Sequence, residues 1–441
     1  MLQLKKKINV RLIVLLVIGA VLQVGAQQKL SLKDAIGIAL QNNYDIRMAK
    51  GDALINENNY SVGNAGFLPK IDATGATTRT VTSTKQEYNN GQPSVDKSGA
   101  GSNSQNASVT LTWTLFDGFK MFINFSKLRE YKELGDIKLR AQIEESISSI
   151  IATYYDLVRQ KYNYKAAEES ISISEQRAKL TEEKYSVGSA SKLDVLRAQV
   201  DLNTDKSNLL TQEVVLNSLK VNLNHLLGRT ISIEVDVEDL FDIRKGLSFD
   251  EMKALSFKNN SDIIQGEKNR NISEKEIGLS RGDYFPKINL ITGYSYTNSV
   301  SDAGFFKTNQ NFGYNYGLNF TWNLFNGFNT RLQQQNAEIT LDKNEIALQQ
   351  IKANVESSLV IAFQNYQKNL EILKLEEENV SVAKENVDLA IEQMRLGTIS
   401  PIEFRDVQRN YVEAQSRLSS AKFNAKISES DLLKQSGQLL Q

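Results

Sequence analysis

The sequence predicts an α+β membrane protein with two tandem structural repeats. Each chain supplies four strands to a β-barrel that it can close only with other chains, and long helical rods continue the barrel. Three observations carry this. The chain repeats itself over most of its length, each copy holds two strand-like segments with an aromatic face and a polar face, and each copy has a run of 67 residues without proline. Repeats are sought before local structure because they set the architecture.

At the start, Lys5, Lys6, Lys7 and Arg11 precede an uncharged apolar run over residues 12–24 that ends in Val24-Gly25-Ala26. This is the layout of a signal peptide. A spanning helix needs ~20 apolar residues, and Gln23, Gln27, Gln28 and Lys29 interrupt the run too early, so cleavage is expected after Ala26. Loss of those four cations leaves 48 Lys+Arg against 52 Asp+Glu, a charge of about −4 with no basic excess for nucleic acid. With no cysteine, a disulfide framework, a thiolate metal site, a thiol nucleophile and a lipidated cysteine are all excluded. Only four prolines occur, Pro69, Pro93, Pro286 and Pro401, in 441 residues that are 41% hydrophobic. Long regular elements with few loops fit that composition better than several globular domains.

The repeat has two shifts. Leu30-Ser31-Leu32 returns as Leu247-Ser248-Phe249 and Leu68-Pro69-Lys70-Ile71 as Phe285-Pro286-Lys287-Ile288, both displaced by 217 residues. Further on the displacement is 209: Leu111-Thr112-Trp113-Thr114-Leu115-Phe116-Asp117-Gly118-Phe119 returns as Phe320-Thr321-Trp322-Asn323-Leu324-Phe325-Asn326-Gly327-Phe328, and Gly188, Ser191, Gln199 and Gly228 return as Gly397, Ser400, Gln408 and Gly437. The difference lies between the strand motifs, where the polar, Gly/Ser/Asn-rich residues 82–106 read as a solvated loop.

Around that loop the period is two. Val109, Leu111, Trp113 and Leu115 alternate with Ser108, Thr110, Thr112 and Thr114. In the second copy Phe312, Tyr314, Tyr316, Leu318, Phe320, Trp322 and Leu324 alternate with Gly313, Asn315, Gly317, Asn319, Thr321 and Asn323, with Ile288, Leu290, Tyr294 and Tyr296 upstream. Such alternation is that of transmembrane strands with lipid outside and water inside; a soluble sandwich is the alternative. Four strands cannot close a barrel and bare edges are not tolerated in hydrocarbon, so the barrel is shared between chains.

The rest reads as helix. Residues 119–185 and 328–394 each run for 67 residues, rods of ~100 Å at 1.5 Å per residue that must pack along other rods. Helices over 192–227 and 401–436 follow the breaks at Gly188 and Gly397, and helices over 30–63 and 247–282 open the copies. Two short helices end to end therefore match one long rod, which places Gly188 and Gly397 at the tip far from the strands. The linker 230–246, with Ile231, Ile233, Val235 and Val237, falls near mid-height.

At these residues the chain resembles the TolC-like outer-membrane efflux family, over essentially everything after the signal peptide. The matching motifs are Leu68-Pro69 and Phe285-Pro286, the strand endings Trp113–Gly118 and Trp322–Gly327, and the tips Tyr185-Ser186-Val187-Gly188 and Arg395-Leu396-Gly397-Thr398. Singly each is weak; in this order, twice, they are specific. The resemblance implies a homotrimer with a twelve-stranded barrel in outer-membrane lipid and a periplasmic helical barrel with an equatorial belt. It also implies tips that dock a periplasmic adaptor protein coupled to an inner-membrane pump, with no cofactor and no metal. The expected organisation is a signal peptide at 1–26, a first repeat at 27–228 with its hairpin at 70–116 and tip at 188, an equatorial linker at 229–246, and a second repeat at 247–441 with its hairpin at 287–324 and tip at 397.

By resemblance, the adaptor-contact residues are Val187, Gly188, Ser189 and Ala190 with Leu396, Gly397, Thr398 and Ile399. Small residues allow close backbone approach, while a glycine that merely ends a helix is the plainer account. Asp194, Glu403 and Asp406 correspond to acids that line the family's periplasmic aperture. Yet Ser191-Lys192-Leu193-Asp194 and Ser400-Pro401-Ile402-Glu403 also read as capping boxes, which leaves Asp406 as the acid that capping does not explain. Arg197 stands where the first copy lacks the second acid, so an Asp194–Arg197 pair is expected there and a full acidic ring is in doubt. The family's gate positions are matched only in part, by Tyr185, with Met394 in the second copy. His225 beside Leu226 reads as a packing or capping residue, and no nucleophile-plus-base set or phosphate loop argues for an enzyme. A small-molecule efflux duct leads; the duct of a type I protein-secretion system and a trimeric surface stalk without transport are the alternatives.

Overall fold

The computed structural model describes residues 29–303 and 305–440; the expected signal peptide lies outside them. The order is α1 (Leu32–Asn42), α2 (Tyr44–Asn59), α3 (Val62–Ala65), β1 (Lys70–Gln86), β2 (Val95–Phe116), α4 (Lys120–Ser186), α5 (Lys192–Leu226), α6 (Phe249–Asn259), α7 (Ser261–Gly282), β3 (Lys287–Ser301), β4 (Thr308–Thr321), α8 (Asn329–Leu396) and α9 (Pro401–Gln435). The two rods expected from sequence are α4 with 67 residues and α8 with 68.

The described residues divide into two compact units. One comprises Met48–Ala141 and Phe257–Glu356; the other comprises Gln142–Ser256, Ser357–Gln441 and the described part of Met1–Arg47. Among the described residues no helix is long and apolar enough to cross a membrane.

The first unit holds a four-stranded antiparallel sheet in the order β1-β2-β3-β4. The two hairpins are related by the sequence repeat: Ile71 faces Leu111 in one, and their equivalents Ile288 and Phe320 face each other in the other. One face carries Val109, Trp113, Tyr294, Tyr314, Tyr316, Leu318 and Phe320, all exposed in a single chain. The other is polar, with a Thr74–Ser108 hydroxyl contact and a hydrogen bond from Thr114 to Asn289. Below the sheet, equivalent indoles tie each hairpin to the preceding loop, Trp113 Nε1 donating to the Phe67 carbonyl at 2.9 Å and Trp322 Nε1 to that of Tyr284 at 3.0 Å. Gly118-Phe119 and Gly327-Phe328 then turn strand into helix with both residues of each pair at positive φ, the phenylalanines at 65°. For a bulky side chain that is a sparsely populated conformation. Rings surround it: Phe116 and Phe285 both lie edge-on to Phe119.

Three sequence expectations are corrected. Residues 82–106 are mostly strand rather than loop, because β1 and β2 pair from Thr82↔Ala100 out to Gln86↔Val95 and leave only residues 87–94 as the connection. The ladder needs only backbone groups, and threonine is β-branched; the polar composition tells that both faces are wet there, not that the chain is unpaired. Gly99, at φ 67°, supplies the bulge where the register shifts. Second, β4 stops at Thr321 rather than continuing to 324, because its pairing with β3 ends at Lys287↔Thr321 and no strand of the chain lies on its other side. Third, the opening helices are broken, the first after Asn42 and again after Asn59, the second after Asn259. Asn43 and its equivalent Asn260 interrupt them, the side chain of Asn43 accepting from Ile46 N and that of Asn260 from Asp262 N and Ile263 N, so each restarts a helix as its cap.

The other unit is built around Ile147, Ile150, Tyr154, Leu157 and Val158 of α4 with Leu223, Leu227, Val235 and Val237. Residues near both described ends, Leu30 and Leu439, pack on this same cluster. The linker forms one isolated bridge, Leu30 with Val237, rather than a strand. Its Val235 and Val237 are buried while Ile231 and Ile233 are exposed, so only half of the apolar alternation finds a surface to cover. Gly228 ends α5 at φ 64°, and a Cβ there would lie 2.4 Å from the Asn42 carbonyl oxygen; only glycine permits that approach.

Candidate functional site

The turns after α4 and α8 have the same construction. Gly188 N donates to Tyr185 O at 3.0 Å and Ser189 N to Lys184 O at 2.8 Å; in the second copy Gly397 N donates to Met394 O at 3.2 Å and Thr398 N to Gln393 O at 2.9 Å. These are Schellman caps, with each glycine left-handed, φ 77° and 79°. The next helices begin in the two capping boxes read from sequence, Ser191 with Asp194 and Ser400 with Glu403, the second with proline at the helix start. Capping thus accounts for the glycines and for two of the three acids.

Exposure separates these turns from other glycine caps. Gly228 and Gly437 make the same hydrogen bonds, but Gly228 is closed in by α1, whereas nothing lies within 4 Å of a Cβ built on Gly188. Val187 is 76% exposed and Leu396 75%, apolar side chains held in solvent at both turns. Gly188, Ser189, Gly397 and Thr398 are exposed too, and Ala190 and Ile399 half-buried. Lys184 Nζ donates to the Met394 carbonyl at 2.6 Å, which brings the two turns side by side into one surface.

The acids behave differently from one another. Hydrogen bonds from the Ser191 hydroxyl and then its backbone amide hold Asp194 below the usual carboxylate range, and the backbone and hydroxyl of Ser400 do the same for Glu403. The expected Asp194–Arg197 pair is therefore corrected: the carboxylate turns back to Ser191, 2.6 Å from its hydroxyl, and Arg197 acts on it only through space. Asp406 is exposed, has Arg409 at 3.4 Å, and lines a groove of about 470 Å³ with Leu193, Leu196, Arg197 and Arg405. Asp194 and Glu403 do not line it.

Behind the turns lies a polar layer that the sequence reading missed. Arg177, 3% exposed, pairs with Asp201 at 2.6 Å. Arg405 reaches both oxygens of Asp205 at 2.8 and 2.9 Å. Ser174 also donates to Asp205, and the fully buried Gln408 donates to the Ser170 carbonyl and to Ser174. Helices α4, α5 and α9 are thereby cross-linked by charge-assisted bonds. Gln408 was visible only as the equivalent of Gln199, which is exposed; a repeat does not reveal which copy of a residue is inside. His225 is exposed at the end of α5 and its carbonyl accepts from Gly228 N.

The family described as outer membrane efflux protein matches residues 35–229 and 254–438, both repeats with their hairpins and turns. The probable efflux pump outer membrane protein TtgC of Pseudomonas putida is 25% identical over 427 residues, 92% of this chain and 83% of that protein. Crystal structures of CusC and of the outer membrane channel CmeC of Campylobacter jejuni superpose with TM-scores of 0.74 and 0.74 at 18% and 17% identity, covering 92% of this chain and 92% and 86% of theirs. The fold is theirs, and the matched residues make this chain a member of the outer membrane efflux protein family, the TolC-like proteins of the outer membrane and periplasm.

Proposed function

We propose that the chain is the outer-membrane exit duct of a tripartite efflux system. Three copies close one twelve-stranded barrel in the outer membrane and continue it as a helical barrel in the periplasm. The turns at Gly188 and Gly397 dock a periplasmic adaptor coupled to an inner-membrane pump, and small molecules leave through the lumen without a catalytic step. The observation that carries this reading is the sheet of β1 to β4: its apolar face is exposed, its opposite face is polar, and both outer strands lack a neighbour on one side. Such a sheet is stable in lipid only as part of a closed barrel. The description of TtgC as an efflux pump component favours small molecules over protein secretion, and a stalk without transport needs only one helix per chain and no tip turns.

In the assembled duct Asp406, with Asp194 and Glu403 nearby, forms the acidic aperture. A ring of fixed negative charge concentrates cations in a narrow mouth. The exposed pair with Arg409 is weak and leaves most of that field. The test is single-channel recording of the purified protein in planar bilayers under a salt gradient. Conduction with cation preference is expected, and Asp406→Asn moves the reversal potential toward zero by more than Asp194→Asn does, because Asp194 is committed to Ser191. An unmoved reversal potential in an intact Asp406→Asn assembly makes these acids helix-start residues only.

A further inference from the structure

The pairing register fixes where the apolar band of the sheet ends, and the side chains just beyond that edge have no partner in the protein. We infer that Arg79, with Thr77, Asn103 and Gln105, binds the headgroup of a phosphorylated glycolipid in the outer leaflet. This rests on the barrel proposed above, in which the hairpin turns face outward and the strand ends at Gly118 and Gly327 lead into the helices.

On β4 the apolar row runs from Phe312 to Trp322. Ten residues at about 3.4 Å each, tilted by about 40°, span ~26 Å, the height of the apolar band of a membrane barrel. Its outer limit therefore falls at Phe312. The register carries that limit across the sheet, because Phe312 is opposite Tyr296, Tyr296 opposite Ala107, and Ala107 opposite Gly75. The next row on the same face consists of Thr77, Gln105, Asn298 and Gln310. All four strands thus change from apolar to amide or hydroxyl side chains at a single row. Gln310 donates to the Tyr296 hydroxyl at 3.0 Å, so the polar end of the boundary tyrosine points toward that row.

Arg79 lies one row further out, opposite Asn103. Four residues past Gly75, it stands ~14 Å along the strand and ~10 Å in height beyond the apolar band. Its long side chain can bend back toward the edge of the band, where lipid phosphates lie. The guanidinium is exposed and forms no ion pair within the described residues. The four strands contain only two acids, Asp72 and Asp96. Asp72 is on the opposite face and pairs with Lys70 at 3.0 Å, while Asp96 is opposite Lys85, beyond the bulge. The loop acid Asp302 accepts from the Gly101 amide. Further copies of the chain add only the same acids. Thr77, Asn103 and Gln105 are exposed as well, and their side chains make no hydrogen bond within the described residues. A guanidinium fork matches phosphate oxygens, and two amides and a hydroxyl beside it match sugar hydroxyls. A simple phospholipid would engage the arginine and leave the amides unused.

The full-length assembly, purified in mild detergent and analysed by mass spectrometry of its extracted lipid, tests this. The wild type is expected to retain phosphorylated glycolipid and Arg79→Gln several-fold less per chain. Arg79→Lys, which keeps the charge without the fork, falls between them. Lys85→Gln removes a cation on the same face that pairs with Glu87 at 4.0 Å, and it retains as much as the wild type. Wild-type protein in phosphatidylcholine nanodiscs gives a reading that needs no variant: its melting temperature rises with added phosphorylated glycolipid and not with the dephosphorylated form. Equal retention by Arg79→Gln overturns the site, as does an equal response to the dephosphorylated lipid. An equal rise with phosphatidylglycerol overturns the assignment to a glycolipid. The particle mass in the same preparations separates these failures from failure of the barrel. Three chains without Arg79-dependent lipid overturn the site alone, and single folded chains overturn the barrel and the site with it.

Discussion

Leu318→Arg is expected to abolish assembly in the outer membrane. Leu318 is 69% exposed on the aromatic face of β4, and an arginine facing lipid near the midplane destabilises a barrel by ~2–4 kcal/mol. Three copies place three such charges in one barrel, a total of ~6–12 kcal/mol that is comparable with the whole stability of an ordinary fold. Asn319→Arg changes the next residue on the same strand but points to the polar face, where a charge stays hydrated. That variant assembles and its conductance loses cation preference. Fractionated membranes report the first effect and bilayer recording the second. Normal assembly of Leu318→Arg with failure of Asn319→Arg reverses the assignment of faces.

The second large effect lies behind the turns. Asp205 is 5% exposed and accepts from Ser174 and from both nitrogens of the Arg405 fork. Asp205→Ala leaves Arg405 with Gln408 Oε1 at 3.3 Å and a distant oxygen of Asp201 at 3.8 Å. Removing one member of a buried charged pair costs about 3–5 kcal/mol, and the half-buried Arg405, which keeps those two contacts, puts this loss at the lower end of that range. Hydrogen exchange of the α5 and α9 amides should therefore accelerate by at least a hundredfold. The double variant Asp205→Leu with Arg405→Met removes both charges together and should recover most of that protection. A change below tenfold in Asp205→Ala means that the pair contributes no more than a surface ion pair.

The large features were legible because they rest on periodicity. Phe312 to Phe320 alternate over a full strand, the two rods lack proline, and Ser-x-x-Asp and Ser-x-x-Glu follow each tip glycine. All describe interactions within a few residues along the chain. The helix breaks at Asn43 and Asn260 escaped notice because asparagine is tolerated inside helices and only tertiary packing selects its capping conformation. The outer part of the first hairpin was hidden by composition: Thr78, Thr80 and Thr82 pair through backbone groups whatever their side chains contact. The polar layer was illegible for a further reason. Arg177 meets Asp201 and Asp205 meets Arg405 across separations of 24 and 200 residues, and each is an ordinary charged residue on a helix that looks solvated. At the turns the caps could be read outright, while the exposure that distinguishes Gly188 from Gly228 depends on what packs nearby.

Everything proposed for this chain depends on the sheet being one third of a barrel. Equilibrium sedimentation of the purified protein, in a detergent matched to the solvent density, measures the protein mass of the particle directly. The account predicts three chains at every concentration at which the strand signal is intact. A stable particle of one folded chain with that signal undiminished would contradict it.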